Sequence, residues 1–380
     1  MNKRTFFITL LIILSIMIAG CAGTKSASTP AAPSTQQEQA GSNVGEAVDG
    51  ELAEPEEEKT QQDTETETVN NQSAVEAGAK FDSSNEVQPV AANNQVEQVR
   101  LLVTRNFGSQ IILQETVGIE KDWTIMELLN AKMKVETRYG GGFIDNINGL
   151  KSSSSGLSGE MQDWFYYVNG ICPDVGGLDY IIDPGEVIWW DYHVWKAGFA
   201  NAAVVGCYPE PFLHGYKGKI RSTTIMCPTD DLAAGHELEK ALKAKGVANI
   251  KVMQIDEGLL ANRQGPTIVL GEWEKLQHSP FIQDFNQAYK RNGTGIHFND
   301  MKLELLDIKG QVKRNIEGSG GVIAAAGSGL GDPCPLWLLS GTDLKGFQLA
   351  LDTLINNPGK ITGRYNAAIT AGEVISVPCH

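Results

Sequence analysis

A hairpin of alternating apolar residues, one capped helix and two later aromatic strands predict that residues 96–196 form a small α+β domain of the β-grasp kind. Alternating strand-like and helical runs predict an α/β domain over 218–380, and an acidic stretch poor in aromatics predicts a disordered N-terminal tether ahead of both. The 380 residues are 42% hydrophobic, apolar material for about two cores. The formal charge of −15 comes with no basic run, which excludes a nucleic-acid partner because phosphate binding needs clustered Lys and Arg.

At the N-terminus, Lys3-Arg4 precede an apolar run from Phe6 to Ile18 that stops at Ala19-Gly20-Cys21. A basic start, a short apolar core and small closing residues read as a secretory signal peptide over 1–20, too short to favour a permanent span. The four residues Ile18-Ala19-Gly20-Cys21 resemble the lipobox of bacterial lipoproteins. That resemblance implies that Cys21 becomes the acylated N-terminus and fixes the mature chain to the lipid membrane, facing the extracytoplasmic side. Residues 22–95 carry 14 acids against 3 lysines, and Phe81 is their only aromatic, so they cannot bury enough apolar surface to offset chain entropy. This linker of 21–95 holds most of the negative charge; fully extended it reaches about 250 Å. Residues 96–380 carry only 32 acids against 26 bases, a balance that says little about a ligand.

In the first domain, Val99, Leu101 and Val103 alternate with their neighbours, and Ile111 to Ile119 continues as a second strand after Gly108-Ser109. Thr124 with Glu127 has capping-box spacing, and Ile125, Leu128 and Leu129 then share a helical face. Trp164–Val168 and Val187–Val194 read as strands separated by the turn residues Asn169-Gly170 and Asp183-Pro184-Gly185.

Four ordered blocks carry a family resemblance: Gly142-Phe143-Ile144-Asp145-Asn146-Ile147-Asn148-Gly149-Leu150, Asp163-Trp164-Phe165-Tyr166-Tyr167-Val168-Asn169-Gly170, Gly176-Gly177-Leu178-Asp179-Tyr180, and Pro184-Gly185-Glu186-Val187-Ile188-Trp189-Trp190. Over residues 97–195 the chain resembles the C-terminal domain of transcobalamin and intrinsic factor. The resemblance implies a corrinoid, cobalamin-like, as ligand, with contacts around Gly141, Gly142, Phe143, Trp164, Phe165 and Tyr166. The large helical partner domain of those carriers has no counterpart, so enclosure of the ligand from both sides is not implied.

The residues by themselves suit a flat, partly apolar ligand. Four of the seven tryptophans fall among Trp164, Phe165, Tyr166, Tyr167, Trp189, Trp190, Tyr192 and Trp195, and strand alternation sends neighbours to opposite faces. One face can fill the core while the other displays rings for stacking, which adds Trp190 and Tyr192 to the candidate ligand-binding set. The imidazole of His193 is chemically able to ligate cobalt, but a hydrogen-bonded strand histidine is the favoured reading there, and for His214 as well.

A connector of 197–217, rich in Gly and Pro, leads to strand-like runs at Ile220–Cys227, Ile250–Ile255, Thr267–Leu270, Lys302–Ile308, Gly321–Ala326 and Leu336–Ser340. Helices follow from Leu238, Ala241 and Leu242 before Gly246, from Ser279-Pro280 to near Gly293 with Phe281, Ile282, Phe285 and Tyr289 buried, and from Thr342 or Asp343 with Leu344, Phe347, Leu351 and Leu354 on one stripe.

Catalytic motifs are incomplete. Gly327-Ser328-Gly329-Leu330-Gly331 has its third glycine one position early for a dinucleotide loop, and Asp332-Pro333 follows where a helix should begin. His236-Glu237 lacks the second histidine of a zinc motif, Lys240 standing in its place. Neither G-x-S-x-G nor a P-loop occurs. Ser340-Gly341-Thr342-Asp343 reads as a helix cap. Beyond Cys21 the cysteines at 172, 207, 227, 334 and 379 match no metal knuckle, while Cys207 with Cys227 and Cys334 with Cys379 are open as disulfides or thiols.

The sequence therefore predicts no enzyme, no required cofactor and no metal site. It predicts a surface-anchored binding lipoprotein that captures a corrinoid for a membrane transporter. The alternative is a cell-surface module that binds a protein or a cell-wall glycan through its aromatic face.

Overall fold

The computed structural model describes residues 97–153, 161–195 and 201–379, all within one compact unit spanning Val87–His380. The signal segment, Cys21 and the acidic linker lie outside the described residues. The described chain is mixed α+β and mostly sheet.

The first part contains β1 (Gln98–Arg105), β2 (Gln110–Gly118), α1 (Ile125–Lys132), β3 (Val135–Arg138), β4 (Phe143–Ile147), β5 (Leu150–Lys151), β6 (Met161–Val168) and β7 (Val187–Trp195). Four of these strands form a sheet in the order β2-β1-β7-β6, with β1 and β7 parallel and the outer pairs antiparallel. A small antiparallel sheet of β3, β4 and β5 lies beside it. The capping box at α1 forms as its spacing predicts: Glu127 N–H donates to the Thr124 hydroxyl at 3.2 Å and Thr124 N–H donates to the Glu127 carboxylate at 2.7 Å. Ile125, Met126, Leu128 and Leu129 of α1 then pack with Val99, Leu101, Val103, Ile188 and Trp190.

Central position explains why β1 is not half exposed. Its odd residues face α1, while Leu102 and Thr104 are buried on the opposite side, against the second half of the molecule.

The second part contains β8 (Thr223–Cys227), α2 (Leu232–Ala244), β9 (Ile250–Gln254), α3 (Glu257–Ala261), β10 (Thr267–Glu272), α4 (Trp273–Leu276), α5 (Pro280–Gln287), β11 (Ile296–Asn299), β12 (Lys302–Leu306), β13 (Val312–Ile316), β14 (Gly321–Ala326), β15 (Leu336–Gly341), α6 (Leu344–Asn356), β16 (Asn366–Ile369) and β17 (Val374–Val377). Seven strands order as β17-β16-β14-β15-β10-β8-β9, parallel from β15 to β9 and antiparallel from β15 to β17. Strand alternation divides its two cores. Ile225, Ile268, Leu270, Ile323, Trp337 and Leu339 meet α2 and α6, whereas Met226, Val269, Val322, Leu336 and Leu338 meet α4, α5 and the β11–β13 sheet.

Several expectations change here. Residues 201–216, read as a connector from their prolines and glycines, contribute Ala203, Val205, Tyr208 and Phe212 to the second core and Val204 and Cys207 to the seam between the halves. The short apolar run Ala202-Ala203-Val204-Val205 outweighs the turn residues around it. Ile220 is exposed because its strand starts at Thr223. The helix begun by Ser279 and Pro280 stops at Gln287, well before Gly293; Tyr289 lies beyond it and stacks on His297 at 4.0 Å. Leu344 is 51% exposed at the first position of α6, one turn too early to reach the core that Phe347, Leu351 and Leu354 share. Asp343 is the cap, accepting from Gly346 N–H at 2.7 Å. All five described cysteines are free thiols.

Candidate functional site

The register of β6 with β7, from Met161 opposite Trp195 to Val168 opposite Ile188, sorts the aromatic cluster into two faces. Trp164, Tyr166, Trp190 and Tyr192 turn toward α1. Phe165, Tyr167, Trp189, His193 and Trp195 turn the other way.

On the first face, Trp164 and Tyr192 lie 5.2 Å apart between ring centroids, and Tyr166 stacks on Trp190 at 5.0 Å. Trp164 and Trp190 are buried, and Tyr166 and Tyr192 are half-buried. Trp164 Nε1–H donates to the Leu150 carbonyl at 3.1 Å and the Tyr192 hydroxyl to the Lys151 carbonyl at 2.7 Å, which draws β5 over them. The Tyr166 hydroxyl donates to the Val175 carbonyl at 2.6 Å and holds the loop before Gly176-Gly177-Leu178. Met126 N–H, in the first turn of α1, donates to the Gly177 carbonyl at 3.1 Å and fixes the same loop from the other side. Burial raises the Tyr166 phenol well above its usual range, so it stays a neutral donor.

What is displayed stands on top of that loop. Between β3 and β4 the chain turns through Tyr139, Gly140 and Gly141 at φ of 54°, 72° and 92°. This left-handed run leaves Tyr139 87% exposed, its ring 6.4 Å from that of Phe143. Gly141 meets Leu178, 44% exposed: a β-carbon there would lie 3.1 Å from the Leu178 Cδ1. Tyr139, Phe143 and Leu178 thus make an apolar patch. Beside it the Arg138 guanidinium pairs with Asp145 at 2.7 Å.

Of the eight ligand-binding residues read from the sequence, Gly141, Gly142 and Phe143 are at this surface. Tyr166 and Trp190 support it through the loop, Trp164 and Tyr192 lie under β5, and Phe165 belongs to the opposite face. Sequence reasoning missed Tyr139 and Leu178; each stands against a glycine run, which is the signal that a bulky side chain is being lifted out of a tight turn.

The opposite face of β6 and β7 meets the second half. Asp191, fully buried, accepts from Phe107 N–H at 3.0 Å, Gly108 N–H at 3.1 Å, the Thr104 hydroxyl and His193 Nδ1 at 2.9 Å. The Thr104 hydroxyl oxygen in turn accepts from Trp189 Nε1–H at 2.7 Å, and the Tyr365 hydroxyl comes within 3.2 Å of His193 Nδ1. Phe107 and Phe165 hold the imidazole between them, each 4.4 Å away. His193 is thus a hydrogen-bonded strand histidine, and the pocket it lines, about 90 Å³, is far too small for a macrocycle. His214 is likewise engaged, its Nδ1 2.6 Å from the buried Glu210.

A family model described as a domain of unknown function, DUF4430, matches residues 122–194. None of the curated proteins matches this chain. Among solved structures, one from Ruminococcus gnavus ATCC 29149, named for a suspected metal-binding role, is 14% identical with a TM-score of 0.21, covering 26% of this chain and 99% of its own. Haptocorrin in complex with Cbi is 13% identical with a TM-score of 0.22, covering 27% of this chain and 27% of haptocorrin. The chain therefore spans about a quarter of the length of haptocorrin.

Proposed function

We propose that the protein is a lipid-anchored, extracytoplasmic binding protein whose β-grasp-like first domain captures a corrinoid and presents it to a membrane transporter. One observation carries the ligand reading: Tyr139, Phe143 and Leu178 form an exposed apolar patch on loops that contain two of the four transcobalamin-like blocks, braced from below by Tyr166 and Trp190. A rigid ring and two aliphatic or aromatic neighbours on a strained turn suit one face of a flat macrocycle, because little side-chain entropy is lost on contact. The lipobox and the acidic tether support the anchored, outward-facing part of the reading.

Calorimetry of residues 87–380 with cobalamin and cobinamide tests it. Binding at micromolar concentration is expected, and Tyr139→Ala should weaken it about tenfold without changing stability, since that side chain buries almost nothing. Absence of heat at high micromolar protein removes the corrinoid. Retention on cell-wall material, lost in the same variant, would then favour the interaction module.

A further inference from the structure

A cleft of about 360 Å³ opens in the second half of the molecule, between the last turns of α6, the single helical turn Pro358–Ile361 and the hairpin of β16 and β17. That volume lies in the range of small-molecule sites. Leu349, Ile369 and Val374 give the cleft an apolar wall, and Asp352, Lys360, Arg364 and Glu373 supply its charges.

Those charges do not cancel. Glu373 pairs with Arg314, which is not part of the lining. The Asp352 carboxylate accepts from the neutral amides of Asn356 at 2.8 Å and Asn357 at 3.2 Å. Among the described residues neither Lys360 nor Arg364 pairs with a carboxylate, so two cations face one acid and one positive charge is to spare.

Arg364 is held in place for an acceptor it lacks. Its Nε–H donates to the Lys360 carbonyl at 2.7 Å and its Nη1–H to the Ser376 hydroxyl, which fixes the guanidinium plane. Nη2 finds no acceptor among the described residues and is not sealed from solvent, so its hydrogens are left to donate outward. Burial alone acts on this guanidinium and pulls it below its usual value, the signature of a desolvated charge with no counter-ion. An anion brought from outside relieves that cost, and the planar fork of a guanidinium matches a carboxylate. The single spare charge and the adjoining Asp352 favour a monoanion over a doubly charged phosphate. At roughly 30 Å³ per heavy atom, the cleft takes about a dozen.

We propose that this cleft binds a small aliphatic monocarboxylate, its carboxylate accepting from Arg364 Nη2 and Lys360 Nζ and its hydrocarbon body lying along Leu349, Ile369 and Val374. The site uses none of the residues of the apolar patch and does not depend on the corrinoid reading.

Saturation-transfer NMR titrations on the intact chain at pH 7 test the proposal with isovalerate, its neutral counterpart isoamyl alcohol, and acetate, which lacks the apolar body. Isovalerate should bind at millimolar concentration, at least about tenfold more tightly than either control. Arg364→Lys, which keeps the charge and loses the fork, should weaken isovalerate about tenfold, and Lys360→Gln, at an exposed side chain, about threefold. If Arg364→Lys does not fold, Lys360→Gln and the two controls decide. Isoamyl alcohol or acetate binding as tightly as isovalerate, no transfer to isovalerate, or an affinity unchanged in the folded variants overturns it.

Discussion

Glu186 is almost fully buried beside the turn that starts β7, accepting from the Tyr180 hydroxyl at 2.8 Å and from Asp183 N–H at 3.0 Å. Burial outweighs those hydrogen bonds and raises its carboxyl to about 7. Its folded value thus exceeds the ordinary unfolded 4.5, so the folded state binds more protons between the two. Stability from this group is complete below pH 4.5 and is lost as pH rises to about 7, a change of roughly 3 kcal/mol. His214, raised by its hydrogen bond to Glu210, slopes the same way above its unfolded value. Urea midpoints measured from pH 4 to 8 should fall across that window, and Glu186→Gln should flatten the fall. A flat wild-type profile would refute it. Residues of this kind were hidden in the sequence: Glu186 was visible as part of a conspicuous block, but its burial depends on where Tyr180 and the 207–216 segment land. The alternation that turns Trp164 with Tyr166, and Trp190 with Tyr192, to one strand face was legible, and the hydrogen bonding of Trp164 and Tyr192 to β5 was not, because β5 is two residues long.

Short elements carry more of the site than long ones. The capping box of α1 was readable from Thr124 and Glu127 because its partners are three residues apart and need no tertiary context. Thr124→Ala should cost about 1 kcal/mol, seen as a lower urea midpoint with unchanged slope. The β3–β5 sheet was illegible for the converse reason: β3 is largely exposed and lacks a period-2 apolar signal, so only its pairing with β4 defines it. It is nonetheless the element that lifts Tyr139 and roofs Trp164. Trp164→Ala should therefore cost about 3–5 kcal/mol by leaving a cavity beneath β5, and should weaken ligand capture indirectly; thermal unfolding of the variant beside its binding isotherm separates the two effects. In the second part, β8, β9, β10, β12, β14 and β15 were legible as strand-like runs, whereas β11, β13, β16 and β17 are only four or five residues long and were missed.

Across the whole molecule, the β1–β2 turn meets the loop before β16 backbone to backbone. A β-carbon on Gly108 would fall 1.5 Å from the Gly363 carbonyl oxygen, and one on Gly206 2.6 Å from Arg364 N. No side chain separates the β1–β2 turn from the loop before β16 at this point. Gly108→Ala has to move one half against the other, and Gly108 also has φ of +79°. Wild-type protein should unfold in one calorimetric transition; Gly108→Ala should either lower its midpoint by well over 5 °C or split it in two. Two coincident, unshifted transitions in both proteins would contradict this close approach. Composition could not reveal it, since the sequence shows only two glycines more than 250 residues apart.

The central place of β1 has a practical corollary. A gene fragment trimmed to the family match at 122–194 would remove β1 and β2 and leave β7 with an unpaired flank from Val187 to Tyr192, precisely the row that β1 now satisfies. Trp189 and Tyr167 would lose their cover at the same time. Such a fragment presents a naked hydrogen-bonding ladder beside large rings, and inclusion bodies rather than soluble protein are its expected fate in expression trials.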